Sequence, residues 1–217
     1  QDLGALAERI TTRAHDVVVS DDVDLVVEVI GGVEPSKELI EAALRSGKPV
    51  ITANKELLAK HGPELFEQAD QGNLDLLFEA AVAGGIPLMR ALRESLKGEP
   101  IRRVMGIVNG TTNYVLSQMT ETGMSYGDAL AEAQSAGFAE SDPSADVEGQ
   151  DAASKAAIIA MVAFGARLGL SDVTYEGITQ VSAEDIDFAK RFGHTIKLLA
   201  IAEHDNGEVA VRVHPAM

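Results

Sequence analysis

Residues 22–32, DVDLVVEVIGG, constrain the fold more than any other stretch. A near-continuous Val, Ile and Leu run reads as a parallel strand buried on both faces, with Gly31 and Gly32 at its carboxyl end. Pro35 opens a helix carrying Leu39, Ile40, Ala43 and Leu44, and Gly47 stops it. KPVITANK (48–55) reads as a second short buried strand. A helix over 56–71 follows, with Leu57, Leu58, Leu65 and Phe66 inside and a break expected at Gly62-Pro63. LDLLFEA (74–80) is a third strand. Strand, helix, strand, helix, strand in this order predicts a parallel sheet with crossover helices. Ahead of it, Leu3, Leu6, Ala7 and Ile10 have helical spacing, and Val17 to Val19 reads as a short strand. No G-x-G-x-x-G precedes Asp22, so this part reads as the later half of a dinucleotide-binding fold.

In parallel sheets ligands bind beyond the carboxyl ends of the strands. Those ends are Ile30-Gly31-Gly32, Thr52-Ala53-Asn54-Lys55 and Glu79 to Gly85, each polar or glycine-rich. Any one of them equally reads as an ordinary loop; the three together favour a site.

From residue 86 the pattern changes. Pro87 begins a helix with Leu88, Met89, Leu92 and Leu96 that ends at Gly98, and IRRVMGIV (101–108) is a strand. NGTTNYVLSQM starts a helix with its cap expected at Thr111 or Thr112. Ser125 caps another helix over 125–136, closed by Gly137. A long helix runs to Gly169, and a further helix lies near 184–191. IKLLAIAEHDNGEVAVRVHP predicts an antiparallel hairpin turning at Asn206-Gly207. The fold class is α/β. A partial Rossmann-like domain (1–82) precedes an α+β substrate-binding, catalytic and dimerisation domain (83–217) with a mostly antiparallel sheet.

The chain has 217 residues and a net charge of −16, with no basic stripe, which disfavours nucleic acid as a partner. No apolar run reaches the roughly 18 residues of a membrane span. Cysteine is absent, which excludes a disulfide framework and a thiolate metal site and fits a cytoplasmic setting. No signal peptide is visible. The start at Gln1 and the abrupt end at Met217 suggest a fragment.

Chemistry concentrates between Ala133 and Lys155, AQSAGFAESDPSADVEGQDAASK. Glu140, Asp142, Asp146, Glu148 and Asp151 precede Lys155. Asp151 and Lys155 are i and i+4 and share one helical face, which continues through Ile158, Ile159 and Val162. That face must be buried, so a lysine–carboxylate pair stands at the head of a core stripe. Three readings of the acidic run compete. It is a solvated loop, a calcium loop without the EF-hand spacing, or a binder of a ligand's ammonium group beside a proton-handling lysine. An ammonium among carboxylates suits carbonyl reduction, in which hydride reaches carbon and a cation supplies the proton to oxygen. The five histidines show no i,i+3 or i,i+4 pairing and support no transition-metal site. There is no G-x-S-x-G. Asn109-Gly110-Thr111 matches a glycosylation acceptor and reads as chance. Gly110 and Thr111 could instead offer N–H groups and a hydroxyl to a small anionic or zwitterionic ligand.

The run from Ala133 to Lys155 resembles the homoserine dehydrogenase family motif, through Gly137-Phe138-Ala139, Asp142-Pro143, Asp146-Val147, Gly149, Asp151 and Lys155. VVEVIGG, TANK, FEAAVAGGIP and NGTTNY are similar to that family's segments in the same order. The resemblance spans about residues 22–215. It implies NAD(P)-dependent interconversion of L-aspartate 4-semialdehyde and L-homoserine, a step of threonine and methionine biosynthesis. By resemblance, Lys155 is the general acid/base, Asp151 orients it, and Lys55 contacts substrate and cofactor. Glu140 and Asp146, with Gly110 and Thr111, would bind the amino acid. Ile30, Gly31, Thr52 and Asn54 would line the nicotinamide side. A sodium ion would sit on the loop of Glu79, Val82, Gly84 and Ile86, held mostly by backbone carbonyls. A homodimer is the family expectation. The missing glycine-rich turn leaves one alternative, a catalytically inactive amino-acid-binding module; another is a two-lobed dehydrogenase acting on a different amino-acid aldehyde.

Overall fold

The structure, a computed structural model, describes residues 9–217, and the chain divides after Phe78 into two units. The helical spacing of Leu3, Leu6 and Ala7 lies outside the described residues.

In the first unit, β1 (Val26–Glu28), β2 (Val50–Thr52) and β3 (Leu76–Leu77) pair in parallel in the order β1-β2-β3. α2 (Ser36–Arg45) and α3 (Lys55–Gly72) make the crossovers and pack on the strands. Side chains alternate across the sheet. Glu28, Val50, Thr52 and Leu76 are buried, while Val27, Ile51 and Leu77, in register on the other face, are exposed. The expectation of a strand buried on both faces is therefore corrected: among the described residues the helices cover one face of β1 and leave Val27 exposed on the other. The Val17 to Val19 strand is also corrected. These residues lie in α1 (Ala14–Val19), which packs against α2 and buries Val18 alone of the three. Packing has overridden β-propensity there.

The expected break at Gly62-Pro63 is absent, for α3 runs unbroken through Pro63. An interior proline costs about 3 kcal/mol. Leu57, Leu58 and Leu65, all fully buried around it, each contribute roughly 1.5–3 kcal/mol of apolar burial. The stripe outweighs the lost bond.

The second unit is built on a four-stranded sheet of order β4-β6-β7-β5. β4 (Arg103–Gly106) and β6 (Lys197–Asp205) are antiparallel, as are β6 and β7 (Glu208–Ala216), while β5 (Thr174–Tyr175) joins β7 in parallel. Asn206 (φ 50°) and Gly207 (φ 87°) form the hairpin turn, whose geometry needs a positive φ at both positions. Helices α5 (Gly110–Thr122) and α8 (Gln150–Phe164) pack on the sheet, and α6 (Tyr126–Ser135), α7 (Ser144–Val147) and α9 (Ala183–Arg191) pack on those helices, after a short α4 (Leu88–Arg90) that runs into a π turn. α9 starts with a reciprocal Ser182–Asp185 capping box. α8 packs on β6 and β7 and ends at Gly165, in the left-handed region, not at Gly169. Its burial is also broader than a stripe. Ala152, Ala153, Ala156, Ala157 and Ala160 are buried beside Ile158 and Ile159. Small residues let strands and neighbouring helices approach from several sides. Among the described residues, no helix is long and apolar enough to cross a membrane.

Candidate functional site

α8 carries the first cluster. A glycine at 149 with φ 89° turns the chain into the helix, and Asp151 follows in its first turn. One turn later, Lys155 Nζ lies 2.7 Å from Asp151 Oδ2 and donates to the Val108 carbonyl oxygen at 2.8 Å. The side chains are 18% and 4% exposed. A solvated i,i+4 pair is worth little; this one is largely withdrawn from water, and removing either partner would leave a buried charge.

The junction between β4 and α5 meets this helix start. Asn109 caps α5, its side-chain oxygen accepting from Thr112 N at 2.9 Å. The cap expected at Thr111 or Thr112 is thus corrected to Asn109, because an N-cap oxygen must lie before the N–H it receives. The same side chain's amide nitrogen donates to Asp146 Oδ1 at 2.6 Å and to Asp151 Oδ2 at 2.9 Å. Thr111 Oγ1 donates to the Phe138 carbonyl at 2.7 Å and lies 3.3 Å from Asp146 Oδ2. Asp146, Asp151, Lys155, Asn109 and Thr111 therefore form one hydrogen-bonded cluster, and Gly110 is exposed at its edge. Glu140 is not drawn in by its carboxylate: the residue is exposed, and its carbonyl accepts from Gln134 Nε2. An open, mostly apolar cavity of about 600 Å³ adjoins the cluster, lined by Val108, Asn109 and Gly110 and by Ala156, Ile159 and Ala200.

The loop at 79–86 has Val82 buried, Ile86 exposed, and Ala83 (φ 62°) and Gly84 (φ 58°) both in the left-handed region. The Glu79 carboxylate accepts from Met89 N at 3.0 Å and Arg90 N at 2.7 Å. It is thereby committed to the start of α4. Among the described residues, no group of three or more His, Cys, Asp or Glu could hold a metal ion.

In the first unit, Ile30, Gly31, Thr52 and Asn54 meet around a residue that sequence reasoning passed over, Glu28. Its Oε1 accepts from Ile30 N at 2.8 Å, Gly31 N at 3.1 Å and Ser36 Oγ at 3.1 Å. Its Oε2 accepts from Thr52 Oγ1 at 2.6 Å. Burial pushes this carboxyl up, but hydrogen bonds from Thr52, Gly31, Ile30 and Ser36 together outweigh it and hold the group below its ordinary value. Asn54 caps α3 through Leu57 N and donates to the Gly32 carbonyl at 2.6 Å. Lys55 is exposed in the first position of α3.

Asn109 and Glu28 were missed for different reasons. Asn109 carried a usable signal, since Asn before Gly-Thr-Thr at a helix start is an N-cap pattern. Glu28 carried a weaker one, a single acid inside an apolar strand run. The Val108 carbonyl carried none.

Two family descriptions match: "Homoserine dehydrogenase, NAD binding domain" over residues 2–79 and "Homoserine dehydrogenase" over residues 87–217. The chain is 53% identical to homoserine dehydrogenase of Corynebacterium glutamicum, covering 99% of this chain and 49% of that one. It is 50% identical to the Bacillus subtilis enzyme, covering 97% and 48%. A homoserine dehydrogenase structure from Thiobacillus denitrificans superposes with a TM-score of 0.91 at 47% identity, covering 95% and 48%. A hyperthermophilic archaeal homoserine dehydrogenase in complex with NADPH superposes with a TM-score of 0.80 at 31% identity, covering 95% and 60%. The chain spans about half the length of the curated relatives it matches. With a parallel-sheet unit, a lysine–aspartate cluster in the second unit and both family descriptions in chain order, this chain belongs to the homoserine dehydrogenase family.

Proposed function

We propose that the protein carrying this chain interconverts L-aspartate 4-semialdehyde and L-homoserine, with residues 1–82 serving the cofactor and 83–217 the substrate. The observation that carries the reading is Lys155 Nζ held between Asp151 Oδ2 and the Val108 carbonyl oxygen. Those two contacts take two of an ammonium's three donors. The third can serve a substrate oxygen. In the reducing direction Lys155 Nζ gives a proton to the carbonyl oxygen as it becomes an alkoxide; in the oxidising direction it takes the hydroxyl proton back. Asp151, itself held by Asn109, aims the ammonium. Asp146 and Glu140 would hold the substrate's ammonium group, with Gly110 and Thr111 beside them.

A nicotinamide cofactor, when bound, supplies or accepts the hydride. Ile30, Gly31, Thr52, Asn54 and Lys55 would hold it. The strand end fits close approach of a ligand: Gly31 has φ 84°, and a Cβ there would meet nothing within 4 Å. A sodium-sized cation would lie on carbonyl oxygens of Glu79, Val82, Gly84 and Ile86, since the Glu79 carboxylate is already engaged. The positive φ values at Ala83 and Gly84 support such a carbonyl turn. By family resemblance the whole protein is a cytoplasmic homodimer, and the exposed Met105 of edge strand β4 suits a subunit contact.

Steady-state oxidation of homoserine by wild type, Lys155→Ala and Lys155→Arg tests the proton assignment. The alanine variant should lose about 10²- to 10⁴-fold in kcat. Wild-type turnover in that variant would overturn it.

A further inference from the structure

We infer that Glu28 is a positioning residue for the nicotinamide cofactor, locking two strand-end loops together and fixing the exposed Val29–Ile30 segment beside it. The inference rests on reading the first unit as the cofactor domain. Glu28 and Thr52 are direct partners in the β1–β2 register, at the last residue of each strand. The chain leaves the sheet just beyond both. Without a cross-link the two loops could move independently.

The Glu28 carboxylate supplies that cross-link. Oε1 gathers the loop after β1, through Ile30 N, Gly31 N and the Ser36 hydroxyl. Oε2 takes the Thr52 hydroxyl, and Thr52 Oγ1 accepts in turn from Asn54 N at 3.0 Å. Asn54 then reaches back to the Gly32 carbonyl. The circuit is closed, and Glu28 is 3% exposed. All four donors to the carboxylate are neutral dipoles. A buried charge held only by dipoles is costly unless each one stays in place, so the charge itself enforces the geometry.

The circuit also decides what these loops can offer a ligand. The N–H groups of Ile30 and Gly31 and the amide of Asn54 face inward. Facing outward are the apolar Val29 and Ile30, 72% and 61% exposed, on the first loop and the charged Lys55 on the second. Apolar side chains beside a cation suit a planar heteroaromatic ring carried by an anionic ligand.

Glu28→Gln separates the two halves of the circuit. The glutamine oxygen can still serve the loop after β1. Its amide would point a donor at Thr52 Oγ1, which already accepts from Asn54 N, and the Thr52 proton would lose its partner. Thr52→Val breaks the same link from the other strand, and Thr52→Ser keeps it.

The test is NADPH titration by calorimetry and steady-state kinetics on the whole protein that carries this chain, alongside thermal unfolding. Glu28→Gln and Thr52→Val should each weaken NADPH binding and raise the cofactor KM by about tenfold or more, as a displaced binding loop does. At saturating cofactor the homoserine KM should stay within about twofold of wild type. The double variant should be no worse than either single variant, because both break one link. Thr52→Ser, which keeps the hydroxyl, should recover most of the NADPH affinity that Thr52→Val loses. An NADPH Kd unchanged in Glu28→Gln, or equal rises in both KM values, would overturn the inference. If Glu28→Gln fails to fold, Ser36→Ala, which removes another donor to the same carboxylate, decides it: an unchanged NADPH Kd in that variant would overturn the inference. Wild-type protein that binds NADPH but leaves homoserine unoxidised would instead overturn the substrate reading, and the comparison of NADPH Kd values would still stand.

Discussion

Asn109 and Asp151 are joined by a 2.9 Å hydrogen bond between the start of α5 and the start of α8. The amide nitrogen that makes it also donates to Asp146, so one side chain stands between two carboxylates and separates their charges. Asn109→Ala removes that donor and the α5 cap together. It should cost about 1–3 kcal/mol of stability and reduce kcat for homoserine. Asn109→Asp should reduce kcat further, since three carboxylates would then crowd one ammonium. Its activity should improve relative to wild type as the pH is lowered. Paired kcat–pH profiles and unfolding curves check both; wild-type kcat in Asn109→Ala would refute the role.

A second prediction concerns Gly177. A Cβ at this position would overlap the Val147 carbonyl oxygen and the Glu148 backbone. The same contact carries the hydrogen bond from Ile178 N to Val147 O at 2.8 Å. Residues 147–149 connect Asp146 to α8. Gly177→Ala should therefore destabilise by at least about 1–3 kcal/mol, as overpacking against backbone does, and shift the Asp146–Asp151 segment. An unaltered denaturation midpoint would count against the close approach.

Acid stability should report on Glu28. Its carboxyl is lower in the folded chain than in the unfolded one, because its hydrogen bonds outweigh burial. Its stabilising contribution is then complete above the unfolded value of about 4.3 and is lost as pH falls through the lower folded value. The stability gap between wild type and Glu28→Gln should be widest near neutral pH and shrink on acidification. Urea midpoints of both proteins at neutral and at strongly acidic pH measure it, and a gap independent of pH would contradict the prediction.

The core of the second unit gives a direct check on α8. Ile158 is fully buried, one turn past the pair formed by Lys155 and Asp151. Ile158→Ala should cost about 2–5 kcal/mol through lost burial and a cavity. Thermal unfolding measures it; a loss below about 1 kcal/mol would mean that the helix is not packed as described.

Much of this was legible in the residues. The strand–helix alternation, the Asn206-Gly207 turn, the Ser125 cap and the i,i+4 relation of Asp151 and Lys155 depend on backbone geometry and short-range spacing, which a sequence carries. Where local preference and packing disagree, the sequence misled. Val17 to Val19 went to a helix that packs on α2 through Val18 alone of the three, and α3 continued through Pro63 because burial against neighbours outweighed propensity.

Long-range partners belong to the tertiary structure alone. Asn109 looked like a chance acceptor motif until folding brought it to Asp146 and Asp151, 37 and 42 positions away. Glu28 looked like an interruption of an apolar strand until β1 and β2 paired and set it against Thr52. A hydrogen bond acts over about 3 Å, whatever the distance along the chain, so spacing in sequence determines which residues share a helix face and only the packed chain decides which carboxylate receives which proton.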